Sequence, residues 1–269
     1  MRLAVLADVH GNLQALEAVL EHAQKQNVDR IIIAGDLINV LPDSRACWDL
    51  VQSLKLPIVR GNHERYIFHY NTPFAHPNWY GEAFQGLLLA VAEFSDAERE
   101  EMAALPLSLH FEGLLIVHAS YQRDNDAVRV DTPVTELENM FAGSTEKVIL
   151  RGHNHSRYSV KFNDRHVETI GSVGLPLDGT PEAKYVIAKK TVKGWNIEKQ
   201  QVTYDHAGAV KRLETSIFME QGGPTYKVFL LELQTSRDHI VRFWNEYKTW
   251  SQNKTLTLEQ AVNAFLASQ

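Results

Sequence analysis

The sequence predicts a layered α/β protein in which two sheets pack on one another, with helical additions to that core. Three observations carry this. Five short apolar runs, none with polar alternation, each end in a small or turning residue and then a chemically able side chain: Leu3–Ala7 before Asp8-Val9-His10, Arg30–Ala34 before Gly35-Asp36, Leu56–Val59 before Gly61-Asn62-His63-Glu64, Leu114–Val117 before His118, and Val148–Leu150 before Arg151-Gly152-His153-Asn154-His155. Runs of this kind fit strands buried on both faces of a parallel or mixed sheet. Between the first of them lie stretches of helical spacing, which makes crossover units. From residue 157 the period becomes that of hairpins, and those strands are expected to form a second sheet on the first.

In chain order, Leu13, Leu16, Val19, Leu20 and Ala23 mark a helix that Asn12 can cap, and Arg45–Leu54 reads as a second. Residues 64–106 break the rhythm. They carry Tyr66, Phe68, Tyr70, Phe74, Trp79, Tyr80 and Phe84, two prolines, and a capping box at Ser95–Glu98. This insertion follows the central motif directly and reads as a cap beside the site. Its rings mainly pack its own small core, leaving one or two for stacking on a base. Ser159–Phe162 and Arg165–Thr169 form a hairpin about Asn163-Asp164, Ala183–Lys189 and Trp195–Thr203 are further strands, and Asp205–Leu213 is a capped helix. Residues 216–269 read as a helical appendage, with Pro224 as a first helical residue and a capping box at Thr257–Gln260. The expected division is therefore 1–215 and 216–269. The appendage's aromatic stripe packs on the main domain; a homodimer contact is the alternative.

A chain of 269 residues with 44% hydrophobic content can bury a large core. A net charge of −6 gives no field for long nucleic acid, though it leaves a nucleotide substrate open. The single cysteine, Cys47, excludes a disulfide frame or thiolate metal site and suits an apolar core position. The chain opens on a strand and holds no long apolar segment, so we expect a cytoplasmic protein with no membrane partner.

Seven residues, Asp8, His10, Asp36, Asn62, His118, His153 and His155, supply carboxylate, imidazole and carboxamide donors. That mixture suits manganese, iron or zinc, and seven donors are too many for one ion. They suit two if one carboxylate bridges.

The five blocks, in this order, resemble the calcineurin-like metallophosphoesterase superfamily over roughly residues 1–214. Asp8-Val9-His10-Gly11-Asn12 and Gly171-Ser172-Val173-Gly174 look like its small bacterial phosphodiesterase branch. The resemblance implies a four-layer αββα sandwich of two mixed sheets flanked by helices. It implies two divalent ions, with manganese favoured for activity: Asp8, His10 and His155 on the first, Asn62, His118 and His153 on the second, and Asp36 on both. It further implies that the ions acidify a shared water that attacks the phosphorus of a small diester or nucleotide. His63 faces the substrate as general acid or transition-state stabiliser, with Glu64 orienting it. Asn62, Arg60, Arg151 and Arg123 are candidate substrate contacts; each arginine is as readily turned away by strand alternation or an ordinary loop residue.

Two other readings stand beside this one. The first is a nucleotide or diadenosine-polyphosphate hydrolase, or a phosphomonoesterase, on the same site. Protein phosphatases and symmetrical dinucleoside hydrolases of the superfamily continue Gly-Asp as x-Val-Asp-Arg-Gly, whereas Gly35-Asp36 here continues as Leu37-Ile38-Asn39-Val40. The second is a non-catalytic scaffold, similar to the retromer subunit that lost its catalytic histidine; this chain keeps His63.

Overall fold

A computed structural model describes residues 1–252 and 256–269. The first sheet has strand order β2-β1-β8-β9, from Arg30–Ile33, Arg2–Leu6, Ala183–Thr191 and Gly194–Val202. The second has order β3-β4-β5-β7-β6, from Ser108–Phe111, Leu114–Val117, Val148–Arg151, Arg165–Ile170 and Arg157–Phe162. Both are mixed: β1 runs parallel to β2 and antiparallel to β8, while β5 runs parallel to both β4 and β7.

The strand period of two builds the layers. Leu3 and Val5 of β1 meet Ile116 and Leu150 of the other sheet in one dry core. The alternate residues Ala4 and Leu6 face outward to Leu16, Val19 and Leu20 of helix α1 (Leu13–Lys25). Leu115 and Val117 turn to the opposite face, where Leu137 and Phe141 cover them from and just beyond α6 (Val134–Met140). Helix, sheet, sheet and helix therefore stack as expected.

The assignment of strands to sheets differs from the expectation. The hairpin β6–β7 joins the strands that lead to His118 and His153, and β8–β9 joins those that lead to Asp8 and Asp36. The candidate ligands thus come from two sheets, not from one parallel edge. The run at Leu56–Val59 makes only one bridge, Ile58 with Ile33. Pro57 has no N–H, so it accepts from Ile33 but cannot donate to a ladder.

Residues beyond the central motif form α3 (Asn62–His69), two 3₁₀ turns, α4 (Gln85–Ala92) and α5 (Asp96–Ala104), the last capped by Ser95 as expected. Helices α2 (Ser44–Ser53) and α7 (His206–Glu214) follow the expected spans closely. The C-terminal part holds α8 (Ile217–Gln221), α9 (Tyr226–Thr235), α10 (Ile240–Gln252) and α11 (Leu258–Ala267). Pro224 lies just ahead of α9 rather than within it. Val228, Phe243, Val262 and Phe265 make a small core among these last helices. The Tyr226 ring lies so close to α4 that a Cβ on Gly86 would sit 2.1 Å from it. Cys47 is buried in the apolar core. No helix among the described residues is long and apolar enough to cross a membrane.

Candidate metal centre and its two flanks

The loops that leave the strands are stitched together by their backbones. Asp8 and His10 donate N–H bonds to Gly35 and Asp36, Gly152 to His118, and Val173 and Gly174 to Ala7 and Asp8. This brings four strand ends from two sheets to one rim. The chain turns sharply there. Asp8, His10, Asp36, His153 and His155 all have φ between 52° and 70°, a left-handed region costly for side-chain-bearing residues. Such strain persists only where the surrounding structure over-determines it, and here it aims each donor at the rim.

Three groups of donor atoms each lie within 4.8 Å of one another: Asp8–His10–His155, Asp36–His118–His153, and His10–Asp36–His63. Asn62 joins the second, its Oδ1 3.1 Å from His118 Nε2. Asp36 links the groups. Its Oδ1 accepts from the His63 N–H at 2.8 Å, leaving Oδ2 at 3.1 Å from His118 Nε2 and 3.8 Å from His10 Nε2.

The donor set fits divalent cations on its own chemistry. His118 and His155 turn Nδ1 to the carbonyls of Ala34 and Leu175, both at 2.9 Å, which fixes a proton there and turns Nε2 to the rim. Burial, with Asp36 beside it, pushes the Asp8 carboxyl up to about 8. Burial holds His10 and His153 well below the ordinary imidazole range and His155 down at about 4. At His118 burial opposes the charge, yet Asp36 raises the ring to about 9. A proton on that nitrogen and a divalent cation compete for one place. So many buried donors of both signs are costly unless a cation ties them together.

His63 sits in the first turn of α3. The approach to this turn is tight: a Cβ on Gly61 would lie 2.2 Å from Asp36 Oδ1. Asn39 Nδ2 lies 3.0 Å from His63 Nδ1, and the Val40 N–H donates to Asn39 Oδ1 at 2.8 Å. The second bond orients the amide, so Nδ2 donates to the ring and the His63 proton belongs on Nε2. Burial lowers the His63 pKa, which favours that neutral tautomer. Asn39 and Val40 both have positive φ, at 72° and 84°, and the β-branched Val40 is the stronger outlier. Sequence reasoning noticed Asn39 only as a departure from a motif; its partnership with His63 leaves no local signature.

Two expectations need correction. Glu64 does not orient His63. Its buried carboxylate accepts from the N–H groups of Gly61, Asp36 and Leu37 at 2.8–3.0 Å, so it anchors the Asp36 turn to α3. Burial raises its carboxyl to about 7. Arg151 is no substrate contact. It is fully buried, and its guanidinium donates to the carbonyls of Ala119 and Asp126 and to Asn154 and Thr169.

Arg60 and Arg123 do reach the cleft. With Arg65, Ser120, Asn125 and His118 they line a hollow of about 360 Å³ on one flank of the centre. Arg60 lies over the Phe68 ring at 5.3 Å, and Arg65 forks onto Asp124 at 2.7 and 2.9 Å. A second, smaller apolar slot is lined by His63, Tyr66 and Phe84 and shares no lining residue with the hollow. The other cap rings divide between burial (Tyr70, Trp79) and solvent (Phe74, Tyr80).

Known proteins resemble this chain in sequence and fold. Residues 1–192 match the model of the calcineurin-like phosphoesterase superfamily domain. A solved metallophosphoesterase from Sphaerobacter thermophilus has the same fold, at a TM-score of 0.69 and 22% identity, over 88% of this chain and 100% of its own. An uncharacterized protein of Methanocaldococcus jannaschii is 22% identical over 78% of this chain and 91% of its own. A symmetrical bis(5'-nucleosyl)-tetraphosphatase of Psychromonas ingrahamii is 26% identical over 61% of this chain and 60% of its own. With a family match across most of its length and the rim assembled as described, the chain belongs to the calcineurin-like phosphoesterase superfamily, a family of metal-dependent hydrolases.

Proposed function

We propose that this protein hydrolyses a small phosphodiester with two divalent cations, manganese favoured. The observation that carries the reading is Asp36 Oδ2, which stands between two groups of donors, 3.1 Å from His118 Nε2 and 3.8 Å from His10 Nε2. Asp8, His10 and His155 would hold one ion, Asn62, His118 and His153 the other, and Asp36 both. When bound, such a pair neutralises the phosphoryl oxygens and supplies a water of lowered pKa.

The rest falls to the chain's own residues. Asn39 holds His63 with Nε2–H outward, so the ring donates a hydrogen bond to an oxygen of the reacting phosphate or its leaving group. That makes His63 a neutral stabiliser of developing charge. Glu64 and the His63 N–H keep Asp36 in place. Residues 216–269 act as a helical extension that shapes the site from outside.

Metal analysis and turnover together test the proposal. We expect about two ions per chain and manganese-stimulated release of nitrophenol from bis-p-nitrophenyl phosphate. Full turnover by a protein carrying a single ion would overturn the dinuclear reading, and no cleavage with any divalent metal would overturn the activity.

A second reading, hydrolysis of a dinucleoside polyphosphate, draws on the tetraphosphatase relative and on the arginine-lined hollow, which suits further phosphates. Against it stand Asn39 and Val40 where symmetrical enzymes of the superfamily carry Asp and Arg.

A further inference from the structure

The slot beside His63 has a composition unlike the rest of the site. His63, Tyr66, Phe84, Leu87, Phe229 and Trp244 form most of its wall, and among the described residues no charged side chain lines it. Its amide, Asn39, already spends its nitrogen on His63. Phe84 and Trp244 present nearly parallel faces, 13° apart in plane, with centroids 6.4 Å apart. The wall is also held in advance. Tyr226 is buried against Gly86, and Trp244 packs on Phe243, which packs in turn on Phe265. A preformed aromatic wall of this kind takes a flat ring at little ordering cost.

Position says which part of a substrate enters. His63 lines the slot, whereas His118 lines the arginine hollow, and no residue lines both recesses. A diester lying across the centre has one arm on each side. Resting on the phosphodiesterase reading above, we propose that the slot is the leaving-group subsite and takes a single aromatic ring on the departing alcohol, while the arm retained on phosphorus lies among Arg60, Arg65 and Arg123. Water adds to phosphorus, the P–O bond to the ring-bearing oxygen breaks, and that oxygen, hydrogen-bonded by His63, leaves as the alcohol with a proton from the water.

Size limits the occupant. The slot's free volume is about 80 Å³, below the ~150 Å³ of a cavity known to enclose benzene. One ring enters by its edge and keeps part of itself in the open mouth, and any second fused ring stays outside. The slot is also an addition to the family chemistry, because Phe229 and Trp244 lie beyond the matched residues 1–192.

Two methyl phosphodiesters of similar leaving-group acidity test this on the full chain with manganese, one releasing phenol and one hexafluoroisopropanol. The wild type should favour the phenyl ester in kcat/KM by about tenfold, the scale of ring stacking. Trp244→Leu, and independently Phe84→Leu on the cap, should each lower that ratio severalfold. Reading the ratio separates loss of the subsite from general damage, and the second variant serves if the first fails to fold. An unchanged ratio in both variants, or no preference in the wild type, overturns the subsite. A 1-naphthyl ester favoured well above the phenyl ester overturns the single-ring limit. Cleavage of neither ester with any divalent metal sinks the phosphodiesterase reading itself, a result distinct from the others.

Discussion

The two recesses beside the centre differ in lining, one rich in arginine and the other in aromatic rings, and they draw on different parts of the chain. The arginine hollow uses residues 60–65 and 118–125, close in sequence to Asn62 and His118, so the family core supplies it. The aromatic slot joins residues 39–40, 63–87 and 226–244, and its far wall belongs to helices outside the family match. The hollow thus lies wholly within the matched residues, whereas the slot is completed by residues beyond them. The centre between them serves both flanks, and changes to each part should have separable signatures.

The largest effect belongs to the residue on the boundary. His63→Ala removes the hydrogen bond to the reacting group but none of the donors assigned to the ions. Turnover should fall roughly 10²–10³-fold, the usual worth of one positioned hydrogen-bond donor to developing charge, with metal content by elemental analysis unchanged. Equal loss of metal and activity would instead make His63 a ligand, as the His10–Asp36–His63 group permits.

That ambiguity shows how far the sequence alone reaches. The rim was legible because each donor follows an apolar strand and the donors are chemically distinctive. The division of strands between sheets was not, since Leu3–Ala7 and Leu114–Val117 carry the same buried pattern whichever sheet they enter. Helix α4 was invisible for a related reason: Gly86-Leu87-Leu88-Leu89-Ala90-Val91 is apolar all round and shows no helical period. Arg151 and Glu64 misled because a charged residue beside a motif suggests chemistry, while burial against backbone groups is a tertiary fact. The contact of Phe84 with Trp244, 160 residues on, has no local trace at all.

A middle-sized effect tests the slot's far wall without touching it. Glu232 on α9 accepts from the His239 and Ile240 N–H groups at 2.9 and 2.8 Å, so it joins α9, which carries Phe229, to α10, which carries Trp244. Burial raises its carboxyl from 4.5 to about 7. Between those values the unfolded chain has given up its proton and the folded chain has not. Stability from this group is therefore greatest at low pH and declines as pH rises from 4.5 to 7, by about 3 kcal/mol, then levels. Glu232→Gln should flatten that slope and raise the melting temperature above pH 7 relative to wild type. If both proteins show the same slope, the joint does not titrate.

The smallest effect falls on the inherited flank. Among the described residues no carboxylate pairs with Arg60 or Arg123 as Asp124 does with Arg65, so these two cations are the ones that can meet an anionic arm. Each charge-assisted contact to phosphate is worth about 1.5–3 kcal/mol, and solvent at the mouth reduces it toward the lower figure. Arg123→Ala or Arg60→Ala should thus raise KM about tenfold for a diester whose retained arm bears a further phosphate. A diester with a methyl arm has nothing to lose there, so its KM should move little. If KM rises equally for both substrates, the hollow shapes the centre instead of reading charge, and the contrast between the flanks reduces to the slot alone.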